Sequence, residues 1–160
     1  MSDNRIDFRR LELRDLNAIE EIERASYKTP WSRSMFAGEL AKPSSLSLGA
    51  FDSETGELLG YLIISRYVDA WHVMNVAVAP GHRRRKIATL LLEQLFEQTA
   101  GEGHRGYTLE VRVSNDVAIR LYERAGFKPR GIRRGYYTDN REDALIMWRD
   151  PETARVPERS

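Results

Sequence analysis

Four cations in a row, Arg83-Arg84-Arg85-Lys86, separate an apolar, β-branched run from an apolar series with helical spacing. The run before them, Met74-Asn75-Val76-Ala77-Val78-Ala79, stops at Pro80-Gly81; the series after them continues through Ile87, Leu90, Leu91, Leu95 and Phe96. A strand, a basic turn and a helix in that order gather bare backbone N–H groups and positive charge at one point, which attracts phosphate. An arbitrary run of four cations is more often a solvated cluster or a nucleic-acid patch. Here the cations are expected in the first turn of a helix, where the backbone dipole disfavours them unless an anion normally occupies the site. A Walker loop and a dinucleotide-binding fingerprint are both excluded, because the required glycines are missing.

Two further residues have chemistry to offer. Glu110 stands between Leu109 and Val111 in an apolar strand; it is either an exposed carboxylate paired with Arg112 or Arg105, or a general base. Tyr122 falls with Ala118, Leu121 and Ala125 on the apolar face of a helix. There a tyrosine is usually a core aromatic, though its hydroxyl can still reach a polar partner.

The elements that must position these groups can be read along the chain. Ile6 to Leu13 alternates as a strand, and Asp15 is placed to cap a helix that buries Leu16, Ile19 and Ile22 and exposes Glu20, Glu21, Glu23 and Arg24. Ser32 opens a short second helix, stopped at Lys42-Pro43. Strands follow at Ser47–Phe51, Leu58–Tyr67 and Trp71–Ala79, then the helix after the basic turn, ended by Gly101-Glu102-Gly103. A strand over Tyr107–Val113, a helix over Asn115–Ala125 and a closing pair, Phe127–Tyr136 with Ala144–Trp148, complete the order β-α-α-β-β-β-α-β-α-β-β. The β-α-β passage from Trp71 to Val113 requires a parallel pair, and the hairpins require antiparallel neighbours. The expected architecture is a mixed, mostly antiparallel sheet of about seven strands with a central parallel pair, flanked by about four helices.

The bulk composition is that of an ordinary globular protein: 160 residues, 41% hydrophobic, 31% charged, net charge +1. One domain over residues 1–149 and a polar tail over 150–160 are expected. So small a net charge excludes a polyelectrolyte binder, and direct nucleic-acid binding is not expected. The absence of cysteine removes disulfides, thiolate metal sites and a thiol nucleophile. His72, His82 and His104 show no metal-ligand spacing; no metal is expected, and all three are expected in solvent. With no signal-like segment and no apolar run near the roughly 20 residues of a membrane span, the cytoplasm is the expected compartment.

Two segments carry a resemblance. Val76-Ala77-Val78-Ala79-Pro80 followed by Arg83-Arg84-Arg85-Lys86-Ile87-Ala88 resembles the acetyl-CoA signature of the GNAT N-acetyltransferase superfamily, Q/R-x-x-G-x-G/A, with Lys86 at the first glycine. Leu109-Glu110-Val111-Arg112-Val113-Ser114-Asn115 through Ala118-Ile119, Leu121-Tyr122 and Gly126-Phe127 is similar to the pattern of its RimI-like branch, the ribosomal-protein-alanine N-acetyltransferases. Pro30-Trp31-Ser32, Gly135-Tyr136-Tyr137 and Glu142 to Met147 are similar to that branch as well.

The resemblance implies a GNAT fold and direct transfer of an acetyl group from acetyl-CoA to the N-terminal alanine of a ribosomal small-subunit protein. It implies that Glu110 accepts a proton from the amine and that Tyr122 gives one to the departing thiolate. The coenzyme would lie on the backbone of Val76, Ala77 and Val78, on Arg83 to Thr89 (Arg83, Arg84, Arg85, Lys86, Ile87, Ala88, Thr89) and on Asn115. Asn115 is also the expected helix cap, unless Ser114 takes that place. Tyr27, Trp31, Tyr136 and Tyr137 would line a slot for the acceptor, with Tyr136 the better candidate of the last two to pack on the sheet. Asp139, Glu142 and Asp143 are available to attract a basic peptide. Transfer to a lysine or a small amine, and a non-catalytic acetyl-CoA-binding regulator, are the alternatives; retention of both Glu110 and Tyr122 weighs against the regulator.

Overall fold

The computed structural model describes residues 5–83 and 85–151. Its elements are β1 (Ile6–Arg10), α1 (Leu16–Ser26), α2 (Arg33–Ala41), β2 (Leu48–Asp52), β3 (Leu58–Tyr67), β4 (Ala70–Val78), α3 (Ile87–Thr99), β5 (Gly106–Arg112), α4 (Asp116–Arg124), β6 (Lys128–Arg133) and β7 (Ala144–Arg149). Single 3-10 turns precede α1 and α3. This is the order read from the sequence, with each boundary within about three residues except the start of α3, which falls at Ile87 and not at the expected basic run. The expected polar tail lies outside the described residues from 152 onward.

One seven-stranded sheet runs in the order β1-β2-β3-β4-β5-β7-β6. The parallel pair is β4–β5, with Ala70, Trp71 and His72 opposite Gly106, Tyr107 and Thr108. The β5–β7 and β6–β7 pairs are antiparallel. The chain divides into two compact units, Met1–Ser65 with Met74–Leu95 and Arg66–Val73 with Phe96–Ser160.

In the first unit Leu16, Ile19 and Ile22 of α1, Phe36 of α2, and Phe51, Leu58, Tyr61, Ile63 and Ala77 of the strands share one core. Asp15 does not cap α1. Its carboxylate accepts the Glu12 N–H at 2.7 Å and both guanidinium nitrogens of Arg9 at 3.0 Å, so it braces β1 and the entry turn instead. Glu23, expected on the solvent face of α1, is 1% exposed.

The second unit is built on alternation in β5. Tyr107, Leu109 and Val111 are buried, while Thr108, Glu110 and Arg112 face the other way, half-buried. Phe96 meets Tyr107 edge-on at 4.9 Å, and Tyr122 meets Phe127 at 5.8 Å. Gly126, at φ 98°, closes α4 in the left-handed conformation that glycine adopts without strain.

Candidate active site

The strand edge in β4 follows from its hydrogen-bond alternation. The N–H of Ala79 donates to the Leu59 carbonyl at 2.8 Å, so the peptide groups of Val76 and Val78 point away from β3. Both edge carbonyls are taken by side chains. The Tyr27 hydroxyl donates to Val76, and the Arg83 Nε donates to Val78 at 3.0 Å. Arg83 also reaches the Ser26 hydroxyl at 3.2 Å. Behind the strand, a Cβ at Gly60 would sit 3.0 Å from the Ala77 carbonyl and 3.1 Å from Ile87. Glycine there lets the start of α3 approach the sheet closely.

The cations do not lie in the first turn of that helix. Pro80–His82 form a 3-10 turn, Arg85 donates to His82 Nδ1 at 2.9 Å, and α3 begins only at Ile87. Lys86 is the residue before the helix, its carbonyl accepting the Leu90 N–H at 3.1 Å. It stands in the left-handed region, φ 59°. That explains why glycine suits this position, since the conformation costs an L-residue about 1–2 kcal/mol. Cations just ahead of the helix avoid its first turn, and the N–H groups of Ile87, Ala88 and Thr89 lack intrahelical acceptors by helix geometry. An anionic diphosphate fits such a place. Arg84 lies outside the described residues.

In the second unit His72 and Glu110 meet. His72 opposes Thr108 in the parallel register, so its ring reaches diagonally to Glu110, two residues on, with Nε2 and Oε1 2.9 Å apart. That bond holds the Glu110 carboxyl below its ordinary pKa of 4.5 against the opposing effect of burial. Glu110 therefore pairs with neither Arg112 nor Arg105. The expectation of solvated histidines is corrected for His104, while His72 and His82 are half-buried. His82 bonds Arg85, and His104 is buried, its Nδ1 accepting the Gly106 N–H at 3.0 Å.

Arg112 uses its fork elsewhere. It holds both oxygens of Asp139 at 3.0 Å, Asn140 at 3.1 Å and Glu142 at 3.2 Å, and its guanidinium lies 4.0 Å over the Tyr137 ring. Glu142 also accepts the Ser114 N–H, and Asp143 the Gly135 N–H. The acidic groups expected to attract a peptide thus fasten the β6–β7 hairpin to β5. Tyr136 is 42% exposed and meets Tyr137 edge-on at 5.0 Å. Tyr137 is the more covered of the two, the reverse of the expectation. Burial pushes its phenol up to about 12.

Asn115 caps α4, its Oδ1 accepting the Ala118 N–H at 3.1 Å, and Ser114 leaves that role to it. Tyr122 is buried. In the first unit Tyr27 is 40% exposed, and Trp31 packs on Phe36 with ring centroids 5.0 Å apart. The sequence reading missed Glu23 and His72. Glu23 had a signal, since it lies seven residues after Leu16 on the apolar face of α1. His72 had none short of the parallel register. Among the described residues no group of three or more His, Asp or Glu is placed to hold a metal ion, and no helix is long and apolar enough to cross a membrane.

A mixed sheet with one central parallel pair, a strand edge without a strand partner and an anion-attracting helix start are the parts of an acyltransferase of the N-acetyltransferase class. The family model for acetyltransferases (GNAT) matches residues 16–127, and the chain belongs to that family. It is 37% identical over 140 residues to the putative ribosomal protein bS18-alanine N-acetyltransferase of Bacillus subtilis, covering 88% of this chain and 92% of that protein. It is also 37% identical over 139 residues to the ribosomal protein bS18-alanine N-acetyltransferase of Escherichia coli K12, covering 86% and 92%. The crystal structure of the ribosomal-protein-S18-alanine N-acetyltransferase from Escherichia coli superposes with a TM-score of 0.85 at 34% identity, covering 98% of this chain and 100% of that one.

Proposed function

We propose that this N-acetyltransferase moves the acetyl group of acetyl-CoA to the N-terminal amine of a protein, with the N-terminal alanine of a ribosomal small-subunit protein as its acceptor. The bonded pair of Glu110 and His72 carries this reading. An α-amine has a pKa of about 7.7–8.0 and must lose a proton before it attacks a thioester. A carboxylate held ionised accepts that proton, and the imidazole bonded to it orients the carboxylate and offers a second nitrogen to the proton. The choice of acceptor rests on the names of the two bacterial relatives.

The remaining roles follow. Lys86 and the amides of Ile87, Ala88 and Thr89 hold the diphosphate, with Arg83, Arg84 and Arg85 adding positive charge around it. The edge groups of Val76 and Val78 hold the pantetheine arm and orient the acetyl carbonyl, with the Ala77 peptide between them turned to β3, while Asn115 serves the coenzyme as well as its helix. The neutral amine attacks the carbonyl carbon, forming the C–N bond and placing charge on oxygen. Collapse breaks the C–S bond as Tyr122 gives its hydroxyl proton to the thiolate; the nitrogen's surplus proton goes to the Glu110–His72 pair, which has already released the first to solvent, and a proton from solvent restores Tyr122. Tyr27, Trp31, Tyr136 and Tyr137 wall the acceptor. The test is thiol release from acetyl-CoA in the presence of a short peptide beginning with alanine. Release that depends on the peptide supports the reading; coenzyme binding without release on any amine favours a regulator.

A further inference from the structure

Glu23 is a charged residue in the core of the first unit, where an unpaired carboxylate is strongly unfavourable. It meets three donors. Oε1 accepts the Tyr61 hydroxyl and the Asn75 side-chain amide, the latter at 2.9 Å; Oε2 accepts the backbone N–H of Trp31 at 2.9 Å. Each donor comes from a different place: Tyr61 from β3, Asn75 from β4, and Trp31 from the segment after α1. Burial pushes the Tyr61 phenol far above its ordinary value, so it stays a donor.

A second path joins the same groups. The Trp31 ring packs on Phe36 at 5.0 Å, and Phe36 meets Tyr61 edge-on at 5.9 Å. The circuit runs from Glu23 through Tyr61, Phe36 and Trp31 and returns to Glu23 by the Trp31 N–H. Tyr27, at the start of the same loop, donates to Val76, the residue after Asn75.

We propose that Glu23 is the positioning residue for acceptor selection: its carboxylate fixes the Tyr27–Trp31 loop to β4, so that the acceptor-facing loop and the acetyl-bearing strand edge keep one register. This rests on the reading that the loop faces the acceptor and the β4 edge faces the coenzyme. The two oxygens divide the work. Oε1 ties the strands together through Tyr61 and Asn75, and Oε2 is the carboxylate oxygen that reaches the loop, which Tyr27 also holds to β4 at Val76.

Glu23→Gln separates these functions, because its amide oxygen can still accept from Tyr61 and Asn75 while its NH2 cannot accept from Trp31. The experiment compares the parent, Glu23→Gln and Glu23→Asp for acceptor-peptide KM, acetyl-CoA Kd by direct titration and amide exchange over the Tyr27–Trp31 loop. Glu23→Gln should lose protection of the Trp31 amide and raise the acceptor KM about tenfold, the equivalent of one hydrogen bond to a charged group, with the acetyl-CoA Kd unchanged within about twofold. Glu23→Asp keeps both acceptor oxygens and should recover part of the loss. Faster exchange with an unchanged acceptor KM overturns the proposal, as does an equal loss in both substrates. Absence of transfer by the parent overturns the functional reading instead, and is seen before any variant is compared.

Discussion

The imidazole of His72 and the carboxylate of Glu110 stand 2.9 Å apart, on strands that pair in parallel only because α3 carries the chain across from β4 to β5. A carboxylate held below its ordinary pKa is a poor lone acceptor for an amine proton, since the lowering widens the gap between the two. In the proposed reaction, the amine proton goes to the bonded pair and not to the carboxylate alone.

Replacing His72 should therefore reverse the shift on Glu110. His72→Ala removes the bond and charge that do most to hold the carboxyl down and leaves burial, which raises it, against the smaller pull of Arg133, which lowers it. A carbon-13 titration should show the Glu110 carboxyl moved upward from its value in the parent, and turnover should fall by about a hundredfold or more. An unmoved titration would remove His72 from the base.

The same shift has a consequence for stability. A carboxyl with a depressed folded pKa contributes stability that is present above its unfolded pKa and is lost as pH falls through the folded one. Here the window lies below 4.5. The Tm advantage of the parent over Glu110→Gln should be constant near neutrality and shrink on acidification below that value; an advantage independent of pH there would contradict the pairing.

Lys86 offers a reversal of sign. Alanine is normally better than glycine inside ordered structure by about 0.5–1 kcal/mol, but at φ 59° glycine escapes the left-handed penalty of about 1–2 kcal/mol. Lys86→Gly should be the more stable of the two variants in denaturant melts. Both should weaken acetyl-CoA binding alike, and less so at high salt, because each loses the same charge.

Tyr27 tests the strand edge. Its hydroxyl occupies the Val76 carbonyl, which the pantetheine arm would use. Tyr27→Phe keeps the ring and frees that acceptor, so acetyl-CoA should bind tighter by about fivefold, one ordinary hydrogen bond of about 1 kcal/mol. Weaker binding in a titration would place the coenzyme elsewhere.

Most of the fold was legible because its signals are local. Alternation marked β5, helical spacing and Gly126 marked α4, and the long apolar run marked β3. The site was legible only in part. Glu23 was assigned to solvent because its charge outweighed its position, although seven residues separate it from Leu16 on the same helical face. The His72–Glu110 and Arg112–Asp139 pairs join residues far apart in the chain, and periodicity is silent about such partners. The helix after the basic turn begins one turn later than expected, because a left-handed lysine is a conformation that sequence pattern does not announce.

The most direct measurement is where the acetyl group lands. The protein is incubated with acetyl-CoA and alanine-initiated peptides containing an internal lysine, with the N-terminus either free or blocked, and the products are mapped by fragmentation mass spectrometry. N-terminal acetylation requires one added acetyl group on the terminal amine of the free peptide and none on the blocked one. Acetyl-lysine formed at a similar rate on both peptides would contradict it.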